Sequence, residues 1–263
     1  SQFFNLDMAK KLESEGKFFD IIIGINVFAH NDTFIDMFEG CKLLLDEDGL
    51  LIIEVAYALK TVLNGNFDTI YHEHVCSYTL TSIENALNSI GLYISDAEEI
   101  NTQGGSIRVT AQKKKPTFET KSYLAIKQYE LKHKVQSDKF YRNASKNIEK
   151  KLIQINELFE KKYSERFLIL GSPARGVVTL NVSNQKIHKN SLIIDDTPEK
   201  QNKVMPGVHL PVVTWDEVDY QEFKNVLILS WNYKDHLIKK LKEKDFQGEV
   251  YTPFPEIFKE IIS

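Results

Sequence analysis

The residues best suited to chemistry stand together in "NFDTIYHEHVCSYTL", residues 66–80, where Tyr71, His72, Glu73 and His74 follow one another. Imidazole titrates near neutrality, a carboxylate can orient it and favour its charged form, and a phenol can donate to a developing oxyanion. In an extended segment side chains alternate, so Tyr71 and Glu73 would share one face and His72 and His74 the other. An extended H-x-H can also chelate a metal, but a site needs three or four ligands and the sequence offers no second cluster with zinc-like spacing. Proton transfer, metal ligation and plain loop packing are the three readings. Proton transfer suits these residue types best, and no metal ligand is assigned.

The elements around this stretch follow the grammar of an α/β protein. "FDIIIGINVFAH" reads as a buried strand from Asp20 to about Asn26, "DTFIDMFEGCKLLL" has helical spacing, and "DEDGLLIIEV" is a turn and a second buried strand, Leu50 to Val55. Strand, helix, strand is the βαβ unit of a parallel sheet. Downstream, "TSIENALNSIGL" predicts a helix with Thr81 as N-cap and Gly91 as C-cap. Two strands follow, Tyr93 to about Glu98 and Ser106 to Ala111, joined by "TQGG" as an antiparallel pair. From Lys113 the chain turns rich in Lys, Glu and Gln with apolar residues at helical spacing, which predicts one long, mostly solvated connecting helix. A second α/β unit opens at Arg166: strands in "RFLIL", "SLIIDD" and "NVLILSW", the helical "YKDHLIKKLKEK", and a last short strand near Glu249 to Tyr251.

Three further features lie where such folds bind ligands. His30 falls just past the carboxyl end of the first strand, the binding edge of an open parallel sheet, although a lone loop histidine is commonly structural. "GSPARG", Gly171 to Gly176, sits where a strand becomes a helix, so its backbone N–H groups, Ser172 or Arg175 could meet an anion or a sugar nucleotide. Asp195 and Asp196, ending the next strand, would suit the ribose of a nicotinamide dinucleotide, but the glycine spacing is not G-x-G-x-x-G, and glycines that only permit a tight turn are the better explanation. In "TQGGSIR", Gly104 and Gly105 serve a hairpin turn, and Arg108 could face a ligand.

Composition limits the partners. With 33 basic and 37 acidic residues the formal charge is -4, so no global field draws the chain to nucleic acid or to an anionic membrane, and a small-molecule partner is expected. Cys41 and Cys76 are the only cysteines, and Cys41 lies in a helical pattern as a buried thiol, which fits a reducing cytoplasm. The longest apolar run, Ile21 to Ile25, is far short of the ~20 residues that span a bilayer, and no signal-peptide pattern is present. The chain starts at Ser1 without an initiator methionine, which reads as part of a longer or processed protein.

"INVFAH", "KLLLDEDGLLIIEV", "NFDTIYHEHVCSYTL" and "TQGGSIRV" together resemble the catalytic core of the S-adenosylmethionine (SAM)-dependent sugar C-methyltransferases, which methylate C3 of a nucleotide-linked 4-keto-deoxysugar. "GSPARGVVTLN", "IDDTPEKQNKVMPGVHLPVV" and "LILSWNY" are similar to that family's C-terminal domain, so the resemblance covers nearly the whole chain. It implies part of a class I methyltransferase (Rossmann-like) sheet over residues 1–115, a helical connector over 116–165, and a second Rossmann-like α/β domain over 166–263. It also implies His74 as general base, Glu73 orienting it or holding a sugar hydroxyl, and Tyr71 and His30 as donors to the enolate oxygen or the sugar. His72 would be structural. Gly104, Gly105, Ser106, Arg108, Ser172 and Arg175 would line the substrate, and Asn26, Val27 and Phe28 would be the remaining edge of the SAM site. The family's zinc-binding domain, its Gly-rich SAM loop and the acid for the cofactor ribose have no counterpart in this sequence. Zinc is therefore expected only outside it, and the front of the SAM site would come from a separate N-terminal half. The other reading is a non-catalytic sugar-nucleotide-binding or accessory module that works with a separate SAM-binding chain.

Overall fold

The two stretches of alternating strands and helices form two separate sheets. The computed structural model describes residues 3–102, 104–162, 164–183 and 187–263. The chain divides into two compact units, one made of residues 1–61 and 72–142, the other of 62–71 and 143–263.

The first unit opens with helix α1 (Leu6–Ser14), capped by the Asn5 side chain, which accepts from the Met8 amide. Strand β1 (Phe19–Ile25), helix α2 (Phe34–Leu44) and strand β2 (Leu45–Ala56) follow, and β1 and β2 pair in parallel. Helix α3 (Ala58–Asn64), helix α4 (Leu80–Ser89), strand β3 (Tyr93–Ile100), strand β4 (Ser106–Gln112) and helix α5 (Lys121–His133) come next. The sheet runs β1-β2-β4-β3, with β4 antiparallel to both neighbours. The β3–β4 pair is the one expected on either side of "TQGG", of which Gln103 lies outside the described residues. Cys41 is buried in α2, and burial pushes its thiol up to about 12, as suits a packing residue.

Strand β1 is the sheet's edge, and one of its faces is bare. Ile21, Ile23 and Ile25 are each more than half exposed. Gly24, on the other face, is buried because the Phe28 ring lies against it, where any Cβ would overlap the ring.

The cap of α4 differs from the sequence expectation. Thr79, not Thr81, is the N-cap: its backbone is extended, its hydroxyl accepts from the Ser82 amide, and Ser82 Oγ receives the Thr79 amide, a complete capping box. Thr81 lies inside the helix and turns its hydroxyl to Glu130 instead. Gly91 takes the left-handed conformation (φ 74°) just past the cap residue Ile90.

The expected single connecting helix is two. After α5, Lys134 adopts φ 53°, the chain turns, and helix α6 (Asp138–Lys161) starts afresh. Nothing in "LKHKVQSDKF" carries a glycine or proline to mark that break.

The second unit is a six-stranded sheet. Strand β5 (Phe167–Leu170), helix α7 (Ala174–Val182), strand β6 (Leu192–Ile194), strand β7 (Val212–Val213), strand β8 (Asn225–Ile228), helix α8 (Lys234–Glu243), strand β9 (Gly248–Thr252) and strand β10 (Phe258–Ile262) are ordered β10-β9-β8-β5-β6-β7. All neighbours are parallel except β10 on β9. Because β6 and β8 lie on opposite sides of β5, the direction of winding reverses there, the doubly wound plan. Both faces are packed, one by a cluster that includes Ile155, Phe159, Ile169 and Leu227, the other by one that includes Leu168, Val226, Ile238 and Leu241.

Candidate functional site

His30 and His74 meet at the carboxyl end of β1. There the chain leaves the strand through Asn26, held at φ 53° with its amide bonded to the Glu54 carbonyl, and forms a single helical turn, Phe28–His30. Phe28 is buried under Gly24, and its carbonyl accepts from the buried Tyr78 hydroxyl at 3.1 Å. The Cys76 amide donates to the Ala29 carbonyl and its thiol to the Asn31 carbonyl at 3.6 Å. These three bonds fasten residues 76–78 against 28–31, and the turn at 72–74 is brought to His30.

The two imidazole rings lie edge to face with centroids 4.9 Å apart. His30 Nδ1 donates to the Glu73 carbonyl at 2.9 Å. That bond assigns the tautomer: Nδ1 carries the proton of the neutral ring, and Nε2 is the nitrogen left to accept, or, in the imidazolium, to donate. The segment is a turn rather than the extended run that would alternate its side chains. Glu73 accordingly holds His30 through its backbone, while its exposed carboxylate lies 3.8 Å from the exposed His72 ring. Among the described residues, no three His, Cys, Asp or Glu side chains gather as metal ligands.

Tyr71 ends the short segment 62–71 that belongs to the second unit. Asp68 anchors this segment. It is 1% exposed, and its Oδ2 accepts from Arg175 Nε at 3.0 Å and Trp231 Nε1 at 2.9 Å, with Arg175 Nη2 at 2.9 Å and the guanidinium stacked on the Trp231 ring. Burial raises the Asp68 carboxyl above the usual carboxylate range, and Arg175 and Trp231 offset only part of that. Arg175, expected at the substrate, is thus committed to an internal ion pair. Asp68 was not singled out in the sequence, although it sits within the "NFDTIY" run; an acid flanked by residues of a buried turn was the available signal.

The other expected substrate contacts are similarly engaged. Gly104 and Gly105 have φ of 85° and 114°, and the Gly105 carbonyl receives the Tyr57 amide. Ser106 is buried and exchanges hydrogen bonds with Thr102. Arg108 stands opposite Glu54 on β2 and Glu98 on β3, and bridges the strands with bonds of 2.7 and 3.1 Å to the buried Glu54 and 3.0 Å to Glu98. The Ser172 amide donates to Asp195 Oδ2 at 2.6 Å, and Lys200 bonds both the Ser172 carbonyl and Asp195. Burial pushes the Asp195 carboxyl up, but the bonds from Thr197, Ser172 and Lys200 outweigh it and hold the group below its ordinary range. The Asp195 carboxylate therefore already takes one of the amides that an external anion would use. Gly171 has φ 90°, and a Cβ there would run into Ser230, so the first glycine of "GSPARG" serves the turn.

This α/β fold with paired histidines at a strand's carboxyl end is matched by sequence to a known class. Residues 101–255 fit the family described as C-methyltransferase C-terminal domain, and the chain belongs to that family. It is 26% identical over 257 residues to C-methyltransferase NovU of Streptomyces niveus, an alignment that takes in 96% of this chain and 61% of the relative. The chain thus spans about three fifths of the length of the curated relative it matches. Among solved structures it is similar to magnesium protoporphyrin IX methyltransferase (ChlM) from Synechocystis PCC 6803 with bound SAH, at 21% identity and a TM-score of 0.30 over 36% of this chain and 45% of that one. M1.HpyAVI covers 90% of this chain and 97% of its own at 10% identity and a TM-score of 0.28.

Proposed function

We propose that the chain carries the carbon-acid chemistry of a SAM-dependent C-methyltransferase whose acceptor is a nucleotide-linked keto-deoxysugar. The observation that carries the reading is the His30–His74 pair, with His30 Nδ1 fixed on the Glu73 carbonyl. A carbon beside a ketone is acidic because its carbanion delocalises onto oxygen. His74 takes the C3 proton, the C–H electrons form the C3–C4 double bond, and negative charge collects on the ketone oxygen. A donor there lowers the barrier. With Nδ1 committed to the Glu73 carbonyl, His30 has Nε2 for the sugar or the ketone oxygen, and His74 is the base. His72 is left to the surface.

The residues of this chain fit one edge of the cofactor. Asn26 and the exposed Val27 stand beyond β1, with Phe28 buried beneath them. The bound cofactor supplies an electrophilic methyl sulfonium. In the protein that also carries the Gly-rich SAM loop, replacing His74 with Asn should abolish exchange of the substrate's C3 proton with deuterated solvent while sparing substrate binding. Exchange at the parental rate in that variant removes His74 as the base.

A second reading, a sugar-nucleotide-binding module serving a separate SAM-binding chain, is favoured by the bare face and open edge of β1, which suit a further strand and its covering helix. Calorimetry on this chain tests the second reading. Heat with a nucleotide sugar but none with S-adenosylhomocysteine supports the accessory module, and saturable S-adenosylhomocysteine binding by this chain alone counts against it.

A further inference from the structure

Lys151 is a buried cation with no ion-pair partner among the described residues. It lies on α6, 7% exposed, and its ammonium makes one hydrogen bond, to the Pro255 carbonyl at 2.7 Å, with the Phe254 ring 5.7 Å away. Among the described residues no carboxylate comes within ion-pair reach of it. Two of its three N–H donors are therefore left over, and burying an ammonium in that state is costly unless something accepts from it. Burial, with the like charge of Lys150 added, holds the group below the usual lysine range, against the pull of the more distant Glu256 and Asp68.

A cavity of about 400 Å³ opens beside it within the second unit. Asn147, Lys150, Lys151 and Gln154 recur at the spacing of one helical face and form one wall; Leu63, Asn64 and the segment from Pro255 to Ile257 form the rest. The walls are fixed. Asn147 Nδ2 donates to the Val62 and Leu63 carbonyls, and Gly65, at φ 64°, packs so closely on the Asn147 carbonyl that a Cβ would press on it. Lys150 and Gln154 stand exposed at the rim, as does Glu256, the one acid of the lining. Two ammonium groups and side-chain amides against one carboxylate make a site for an anion. Its size suits a phosphoryl group with something attached.

We propose that this cavity binds a phosphate-class oxyanion, with Lys151 as the buried charge and Lys150 as the rim charge. The site does not depend on the methyl-transfer reading, since it is measured as anion binding. Titration calorimetry of the chain with inorganic phosphate, and in a second arm with uridine 5′-diphosphate, tests it. Saturable heat is expected, weakened about tenfold or more in Lys151→Met and in Lys150→Glu, because each removes a charge-assisted hydrogen bond. Lys150→Glu changes an exposed side chain and keeps the test decisive if Lys151→Met fails to fold. Equal affinity for both ligands assigns a free-anion site, and binding of the nucleotide alone assigns the diphosphate of a larger ligand. No saturable heat in either arm, or affinities unchanged in both variants, overturns the proposal.

Discussion

Glu130 receives four hydrogen bonds while 1% exposed: from Tyr57 Oη at 2.9 Å, the Leu80 and Thr81 amides at 2.6 and 2.9 Å, and Thr81 Oγ1 at 2.5 Å. It satisfies the otherwise orphaned amides at the N-terminus of α4 and places negative charge at the positive end of that helix. Burial, with Glu130 beside it, pushes the Tyr57 hydroxyl well above the ordinary tyrosine range, so it stays a donor at any working pH. Glu130→Gln sets its amide N–H against a backbone N–H, that of Leu80 or of Thr81, neither of which can accept, and should lower unfolding free energy by about 2–4 kcal/mol. Urea titration checks this, and a loss near zero would show that the network rearranges freely. Nothing in "KQYELKH" distinguishes Glu130 from a solvated helix acid, because its role is created by contacts with residues 49 to 73 positions away in sequence. His30 and His74 were legible for the opposite reason. Their types are rare in the chain and chemically narrow, and one of them stands at a strand end that α/β geometry turns into a ligand edge.

Strands and helices were legible wherever burial on both sides or one-sided periodicity wrote a long enough pattern. "DIIIGI" and "FLIL" read as central strands, and β1 and β5 are there, yet the same run misleads about context. An uninterrupted apolar strand predicts cover on both faces, whereas Ile21, Ile23 and Ile25 are exposed because no element among the described residues packs on that face of β1. The two-residue β7 carries too little pattern to detect, and β10, Phe258–Ile262, alternates weakly as an edge strand should. The break between α5 and α6 was hidden by a lysine in the left-handed region, a conformation that a glycine would have announced. The binding residues assigned from the Gly-rich turns show the same limit. Sequence places Arg108, Ser172 and Arg175 near turns, but their partners Glu54, Asp195 and Asp68 come from other strands and loops, and only the fold reveals that these groups are already engaged.

Across the whole molecule the formal charge of -4 is small, so acid stability depends on which carboxylates gain partners on folding. In the second unit Glu249 is drawn down to about 2 by hydrogen bonds from Lys259 at 2.6 Å and from Tyr251, with Lys162 at 3.1 Å adding to them. Its folded value lies below its ordinary 4.5, so the folded state prefers the ionised form. That contribution is complete above about pH 4.5 and is lost as the pH falls toward 2. Asp195 and Glu165, also lowered, act in the same direction. Asp68 acts in the opposite one: its raised carboxyl favours the protonated fold, a contribution present below its ordinary 3.8 and lost as the pH rises through the folded value. Glu15, Asp96, Asp216 and Glu217 are lowered as well, and with Asp68 the one raised carboxyl among the described residues against them the fold loses stability in acid. Glu249→Gln isolates the most strongly lowered of these carboxylates. Because Glu249 is partly exposed, its pair is screened, and the variant should be about 1 kcal/mol less stable than the parent at pH 7. The gap should close as both proteins are taken from pH 4.5 to pH 2, where the parental carboxylate protonates and the two side chains become alike in charge. Denaturant midpoints measured at each pH decide it. A difference that stays constant from neutral to strongly acidic solution would place the effect of the substitution in packing rather than in charge.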